Sequence, residues 1–288
     1  MRNNQNRLLC LGFGYTAKHF SSALDQKIWS VYGTTRSAEN LNEISSLGVK
    51  PIHWENDTLT PSAFTALDAI LVSTAPNNDG CPALRQCMTL LDMNEPPRWI
   101  GYLSSNGVYG DHGGAWVDED SSLRAVTNRS KKRVDAERQW MTFAKQNALP
   151  LVIFRLPGIY GPGRSALDRT RAGRAKRVFK EGQVFSRAHV DDIVTALLAS
   201  LATPTAGTLF NIADDEPSPS QDVIEYACSL LNIKPPPLKQ LEEAELSEMG
   251  RSFYLENKRV RNTRMKEALG VELRYPSYRE GLNAIAAE

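Results

Sequence analysis

Residues 7–17 read Arg-Leu-Leu-Cys-Leu-Gly-Phe-Gly-Tyr-Thr-Ala, and this stretch decides the fold. The apolar run predicts a buried β-strand, and the glycine pattern after it predicts a tight turn into a helix. Glycines there let main-chain amides approach a pyrophosphate, whose charge is favoured at a helix amino terminus, and a small alanine lets the helix pack closely on the sheet. The residues predicted to contact a dinucleotide are Gly12, Gly14, Tyr15, Thr16 and Ala17.

The segments around this turn matter, because a glycine turn between a strand and a helix is a weak signal by itself. Six apolar segments have the continuity of strands covered on both faces, at residues 7–12, 28–34, 49–53, 69–74, 99–104 and 151–155. Segments with helical spacing lie between them, at residues 17–24, 41–47, 82–93 and 134–144. This alternation predicts an α/β fold with a Rossmann-like, doubly wound parallel sheet.

The end of the second predicted strand indicates which dinucleotide is bound. An NAD site usually has an acidic residue there, which accepts a hydrogen bond from the ribose 2′-hydroxyl. This chain has Gly33-Thr34-Thr35-Arg36 instead, so Thr35 and Arg36 are expected to hold a 2′-phosphate. We therefore expect NADP rather than NAD, the alternative being an arginine that only faces solvent. Asp57 and Ala75 are expected to border the adenine and its ribose.

The regular alternation stops after residue 155, which suggests two parts. Residues 1–155 are predicted to be the NAD(P)-binding Rossmann domain, and residues 156–288 to complete the sheet and form a smaller substrate-binding lobe. A basic helical stretch at residues 164–180 is either a solvated segment or a cover that pairs with a phosphate or carboxylate on a small-molecule substrate. Residues 238–288 are expected to form a small helical end piece.

Composition excludes several other classes of protein. The 288 residues carry 34 Lys and Arg against 33 Asp and Glu, so no global field attracts nucleic acid or a membrane surface. No apolar run approaches the ~20 residues of a membrane helix, and none suits a signal peptide. The four cysteines form no CxxC pair and the four histidines have no metal-ligand spacing. We expect a cytoplasmic protein with reduced thiols and no metal.

Four later segments carry a family resemblance, at residues 104–110 (SSNGVYG), 155–163 (RLPGIYGPG), 187–192 (RAHVDD) and 210–213 (FNIA). In this order they resemble motifs of the extended short-chain dehydrogenases/reductases, the NAD(P)-dependent epimerase/dehydratase group, and chiefly its short bacterial members. The resemblance covers nearly the whole chain. It implies a Rossmann fold, a nicotinamide cofactor with Pro157 near the nicotinamide, and possible homodimerisation through the helices at residues 82–93 and 128–144.

The resemblance also implies a Ser/Tyr/Lys site, which this chain matches only in part. Ser105 matches the family serine, which hydrogen-bonds the reacting carbonyl or hydroxyl. Counting back from Glu137, which matches a downstream acid, gives Arg133 and Arg129 where the family has lysine and tyrosine. Arg133 could still bind ribose or phosphate, but Arg129 cannot transfer a proton near neutral pH, because a guanidinium stays protonated there.

Three hypotheses follow from this departure. Tyr109 could move the proton, or His112 could do so, since a histidine titrates near neutral pH. Either would make the protein an atypical oxidoreductase or epimerase-like enzyme. Alternatively, the protein binds NADP without turnover and acts as a catalytically silent, NADP-responsive binding or regulatory protein. The sequence does not indicate which substrate is used.

Overall fold

The computed structural model describes residues 5–54, 59–204 and 208–288. Its strands are β1 (Asn6–Leu11), β2 (Trp29–Thr35), β3 (Lys50–His53), β4 (Ala69–Val72), β5 (Trp99–Ser105), β6 (Trp116–Val117), β7 (Leu151–Leu156), β8 (Gly158–Tyr160), β9 (Arg177–Phe179), β10 (Arg187–His189), β11 (Thr208–Asn211), β12 (Leu238–Gln240) and β13 (Arg259–Val260). Its helices are α1 (Tyr15–Ser22), α2 (Asn40–Ser46), α3 (Pro82–Leu90), α4 (Asn128–Gln146), α5 (Ala166–Arg171), α6 (Val190–Ala202), α7 (Ser220–Leu230), α8 (Glu248–Ser252), α9 (Thr263–Leu269) and α10 (Tyr278–Ala287).

Seven strands form one sheet in the order β11-β7-β5-β4-β1-β2-β3. The pairs β1–β2, β1–β4, β2–β3 and β4–β5 are parallel, and Leu8 lies opposite Val31 on one side and Ala69 on the other. The chain winds from β1 to β3 in one direction and from β4 onward in the other. The carboxyl ends of β1 and β4 therefore flank the topological switch point, where ligands bind in such sheets. The predicted fold class is confirmed.

The described chain divides into two compact units. The first unit comprises the described residues of Met1–Ser104, Lys132–Arg155 and Val194–Phe210 and contains most of the large sheet. Its core buries strand side chains such as Leu9, Ile70 and Ile100 against helix side chains such as Trp140. The predicted division after residue 155 corresponds to one of several points where the chain passes from one unit to the other.

The second unit comprises Ser105–Lys131, Leu156–Ile193 and the described residues of Asn211–Glu288. It contains three two-stranded parallel sheets, β10–β8, β12–β9 and β13–β6. Its main core packs Tyr160 and Leu167 against Ile224, Tyr278 and Leu282. The order of these strands along the chain is discontinuous, so each small sheet joins segments that are far apart in sequence.

Two predictions for the later segments need correction. The basic stretch is only partly helical, because α5 ends at Arg171 and β9 then pairs with β12. The end piece is not purely helical, since β12 and β13 belong to small sheets. Both strands are short, and their partners lie far away in the sequence. The formation of β12 and β13 therefore depends on tertiary contacts, which cannot be predicted from the hydrophobic periodicity of the local sequence.

Candidate active site

The glycine turn after β1 is tightly constrained within the first unit. Gly12 has a φ of +90°, its amide donates to Thr34 Oγ1 at 2.7 Å, and its carbonyl accepts from Ser73 Oγ at 2.8 Å. A Cβ at Gly12 would lie 3.1 Å from the backbone nitrogen of Thr74. The position therefore requires glycine for both its backbone conformation and its space.

Gly14 differs from Gly12, because the structure leaves open space beside it. It is exposed, and a Cβ placed there would meet no atom within 4 Å. Helix α1 begins at the next residue, Tyr15, and its first turn contains no acidic side chain. Thr16 and Ala17 are buried beneath this helix end. The glycine turn thus fits a pyrophosphate, which needs free amides and room at a helix amino terminus.

Three further residues that were predicted to contact the cofactor lie at the end of a strand of this sheet or shortly after one. Thr35 ends β2, and its hydroxyl oxygen accepts from the Ser37 amide at 3.2 Å. Arg36 is exposed, and its guanidinium makes no ion pair with a described residue. Ala75 is exposed shortly after β4. Asp57, which was also predicted, lies outside the described residues.

Arg133 is held at the carboxyl end of β5 in the first unit. Its Nη1 atom lies 2.9 Å from the Tyr102 hydroxyl and 3.1 Å from the Leu103 carbonyl oxygen. Burial raises the pKa of the Tyr102 phenol, and the nearby Arg133 guanidinium opposes that rise. Arg133 is half-buried, so its other guanidinium nitrogens remain able to meet an anionic group.

Ser105 begins the second unit and is half-buried. The Gly107 amide donates to Ser105 Oγ at 3.1 Å, and residues Asn106–Tyr109 form a 3₁₀ turn. Within the described part of the chain, the Ser105 hydroxyl donates to no acceptor. Its proton is thus available to a ligand's carbonyl oxygen, which is the role that the predicted serine requires.

The two predicted proton-transfer residues, Tyr109 and His112, have different surroundings. Tyr109 is fully buried, and its hydroxyl donates to Asn211 Oδ1 at 2.7 Å. His112 is half-buried, with Nε2 3.2 Å from the Ser122 carbonyl oxygen. Because a carbonyl only accepts hydrogen bonds, this contact places a proton on Nε2 and leaves Nδ1 as an acceptor in the neutral ring.

Arg129, which occupies the family's tyrosine position, lies over the ring of Phe253 at 4.7 Å from its centroid. The next residue, Ser130, is buried, and its hydroxyl lies 3.5 Å from Glu256 Oε1. Glu256 in turn accepts from Lys258 Nζ at 2.6 Å. Sequence reasoning missed Ser130, Glu256 and Lys258. No sequence signal could have found this group, because 126 positions separate Ser130 from Glu256.

The remaining predicted residues lie in or next to the second unit's small sheets. Pro157 is half-buried and directly precedes β8, which pairs with β10. Asp192 follows β10 and has a structural role, since its carboxylate accepts from the backbone amides of Arg274 and Tyr275 at 2.8 and 3.1 Å. The four cysteines are buried and form no disulfide. Among the described residues, no cluster of His, Cys, Asp or Glu could hold a metal ion.

Comparison with known proteins finds a matching family for part of this chain. Residues 88–213 match the model of the NAD dependent epimerase/dehydratase family. A solved structure of a functionally unknown conserved protein from Silicibacter pomeroyi DSS is 45% identical, covers 98% of this chain and 99% of its own, and has a TM-score of 0.91. The match to the family model covers less than half of this chain, and it includes residues 104–110, 155–163, 187–192 and 210–213. The resemblance predicted from these residues is therefore confirmed.

Other similar proteins are more distant. The UDP-glucose 4-epimerase of Thermotoga maritima, solved with UDP-glucose, has a TM-score of 0.80 at 18% identity over 98% of both chains. The UDP-glucuronic acid 4-epimerase of Bacillus cereus, solved with NAD, has a TM-score of 0.77 at 18% identity, over 98% of this chain and 96% of its own. At this identity the two structures show a shared fold.

A curated relative is a 3-diazoavenalumate denitrifying reductase from a Streptomyces species. It is 31% identical over 142 residues, which cover 46% of this chain and 45% of the relative. The match therefore spans less than half the length of that reductase. None of the described helices of this chain has the length and hydrophobicity needed to cross a membrane.

Proposed function

We propose that this protein is an NADP-dependent oxidoreductase of the extended short-chain dehydrogenase/reductase type. The observation that carries this proposal is the turn between β1 and α1. Gly12 is confined by Thr74 while Gly14 faces open space, so the amino end of α1 is accessible to a pyrophosphate. The family, and the reductase named among the curated relatives, support the same class of chemistry.

The preference for NADP over NAD follows from the charge at the end of β2. A free guanidinium at Arg36 can form two parallel hydrogen bonds with the 2′-phosphate, and Thr35 can add a hydroxyl. A carboxylate, which NAD would favour at residues 33–36, is missing from the sequence. The remaining proposed cofactor contacts are Gly12, Gly14, Tyr15, Thr16, Ala17, Asp57, Ala75, Arg133 and Pro157.

Bound NADPH would supply a hydride, and the chain would supply the proton and the polarising group. The Ser105 hydroxyl donates a hydrogen bond to the substrate carbonyl oxygen. This bond polarises the carbonyl group, so that its carbon accepts a hydride more readily. Of the two predicted proton-transfer residues, His112 is better suited, because its Nδ1 can bind a proton from water and pass it to the substrate oxygen, while the Tyr109 hydroxyl is bound to Asn211. Tyr109 would have to break that buried bond first.

We propose a small substrate that carries a phosphate or a carboxylate. The basic stretch supports this, although several of its cations are engaged within the second unit. Lys176 and Lys180 donate to backbone carbonyls, and Arg177 pairs with Glu225. Arg171 and Arg174 remain exposed and suit an anionic group. We also propose that the protein forms a homodimer through α3 and α4.

A second candidate function, a catalytically silent NADP-responsive binding protein, is favoured by the position of Arg129. Its contact with Phe253 places a permanent cation where the family pattern has its proton-transfer tyrosine. Such a protein would bind the cofactor and leave carbonyl compounds unreduced. The loop that contains Ser105 would then serve only to sense the bound cofactor.

Calorimetric titration with NADP and NAD, followed by a reduction assay, separates these functions. We expect NADP to bind more tightly than NAD, and NADPH absorbance to fall when a panel of aldehydes, ketones and nucleotide sugars is added. Tight binding without any loss of NADPH would support the silent protein. If neither dinucleotide binds at millimolar concentration, both proposals are wrong.

A further inference from the structure

Three side chains of the second unit form a connected polar group beside the Ser105 loop. Lys258 is 8% exposed and Ser130 is 5% exposed, and Glu256 lies between them. Lys258 Nζ donates to Glu256 Oε2 at 2.6 Å and to the Gly110 carbonyl oxygen at 2.9 Å. A charged pair buried this deeply is costly to desolvate, so a purely stabilising role is a weak explanation for it.

The group continues from Glu256 to the helix that carries Arg129. Ser130 Oγ lies 3.5 Å from Glu256 Oε1, on the side of the carboxylate away from Lys258. Thr127 Oγ1 donates to Ser130 Oγ at 2.9 Å, which fixes the position of Ser130 at the start of α4. A contact of this length is a loose hydrogen bond, and such bonds in ligand-free sites often shorten when a ligand binds.

Gly107 lies next to both Ser130 of this group and Ser105. A Cβ at Gly107 would lie 2.8 Å from Ser130 Oγ and 3.4 Å from Ser105 Oγ. Both hydroxyls therefore pack against the same face of Gly107, and a larger residue there would displace Ser130. The absence of a side chain at Gly107 lets Ser130 and Ser105 lie near each other.

The burial of Lys258 favours release of a proton from its ammonium group. Burial lowers the pKa of its ammonium group, while the carboxylates of Glu256 and Asp111 oppose that change. Lys180 also faces this region, because its charge acts on Asp111. An ammonium whose pKa is moved toward neutrality is a better proton donor at physiological pH than an ordinary lysine.

We propose that Ser130, Glu256 and Lys258, rather than Tyr109 or His112, form the proton relay beside Ser105, and that these residues from other parts of the chain replace the tyrosine and lysine of the family. This inference rests on the proposed reductase function. One Lys258 N–H bond breaks and one O–H bond forms on the substrate oxygen. Glu256 and Ser130 each accept one proton and pass one on, and the neutral Lys258 amine then regains a proton from water.

The test uses Lys258→Arg and Ser130→Ala, with Lys239→Arg as the control. Arginine keeps the charge and can bind Glu256 and Gly110, but it does not release a proton near neutral pH. Lys239 lies on the exposed strand β12 of the same unit. We expect Lys258→Arg to lower kcat about 100-fold and Ser130→Ala about 10- to 100-fold, with NADP affinity by calorimetry unchanged. Lys239→Arg should leave kcat unchanged.

Two readouts distinguish a relay from a structural pair. The solvent deuterium isotope effect on kcat should depend non-linearly on deuterium fraction in the unaltered protein and linearly in Ser130→Ala. On the cofactor-free protein, competitive acetylation followed by mass spectrometry should show Lys258 titrating at lower pH than Lys239. If Lys258→Arg retains normal kcat and pH dependence, or if Lys258 titrates with Lys239, the relay is wrong and the proposed function stands. Absent NADP binding or absent turnover by the unaltered protein overturns the proposed function, and the relay with it.

Discussion

Arg155 and Glu137 form a buried ion pair in the first unit, with Arg155 Nη2 2.8 Å from Glu137 Oε2 and side-chain exposures of 4% and 1%. Arg155 Nε adds contacts of 3.2 Å to both carboxylate oxygens, and the Ser104 hydroxyl also donates to this carboxylate. The pair joins β7 to α4 and to the end of β5. Glu137, which matches the downstream acid of the family pattern, thus has a structural role.

Replacing Glu137 with glutamine should destabilise the protein by about 3–5 kcal/mol, because it leaves the Arg155 charge buried without a counter-ion. Urea unfolding measures this change. The matched control is Asp135→Asn on the same helix, whose partner Arg138 lies 3.1 Å away at an exposed site. That change should cost less than about 1 kcal/mol. Equal losses in the two variants would contradict a special role for the buried pair.

Substituting alanine at the two glycines of the first turn should have opposite consequences. Gly12→Ala forces a side chain into a left-handed backbone conformation and should lower the free energy of unfolding by about 1–2 kcal/mol. Gly14→Ala enters open space and should leave the melting temperature nearly unchanged. It should nevertheless weaken NADP binding at least about 10-fold in calorimetry, because the methyl group occupies the path of the pyrophosphate. Unchanged affinity in Gly14→Ala would place the cofactor elsewhere.

Arg36→Ala should weaken the binding of NADP and leave the binding of NAD unchanged. Loss of charge-assisted hydrogen bonds worth about 1.5–3 kcal/mol should weaken NADP binding about 10- to 100-fold and leave NAD binding unchanged. Lys27→Ala is a suitable control, since Lys27 is an exposed cation before the amino end of β2. Both affinities are measured by calorimetric titration. A parallel loss of NAD and NADP affinity would show that Arg36 does not recognise the 2′-phosphate.

Ser104 and Ser105 are adjacent, and alanine at each should give a different loss. Ser105→Ala should lower turnover by about 10²–10⁴ with little change in cofactor affinity, because the substrate carbonyl loses its donor. Ser104→Ala should instead cost about 1–3 kcal/mol of stability, since Glu137 loses a buried hydrogen bond. Steady-state kinetics and urea unfolding on both variants check this contrast. Normal turnover in Ser105→Ala would remove Ser105 from the mechanism.

Asp111 should make stability depend on pH in the acid range. The Asn257 amide donates to its carboxylate at 2.8 Å and holds the Asp111 pKa below the ordinary value of 3.8. The ionised form is therefore favoured in the folded state. Its contribution is present above about pH 4 and is lost as the pH falls through the folded pKa. Unfolding curves of Asp111→Ala and the unaltered protein should differ at neutral pH and converge below about pH 3. A difference that stays constant with pH would contradict this.

The sequence predicted the sheet well because parallel strands covered on both faces are nearly continuous apolar runs. The segment predicted at residues 99–104 is β5, Trp99–Ser105, and that at 151–155 is β7, Leu151–Leu156. The same reasoning could not find β12 or β13, which are short and pair with distant segments. Their formation depends on the assembled second unit rather than on local pattern.

The sequence by itself determined the Rossmann-like sheet, the glycine turn and the family resemblance, since hydrophobic periodicity and contiguous motifs are local properties of the chain. Only the tertiary structure decided which polar groups meet. It joined Lys258 to Gly110 across 148 positions, placed Ser130 and Ser105 on either side of Gly107, and buried the Tyr109 hydroxyl against Asn211. Such contacts form between side chains brought together by folding, and no spacing along the chain encodes them.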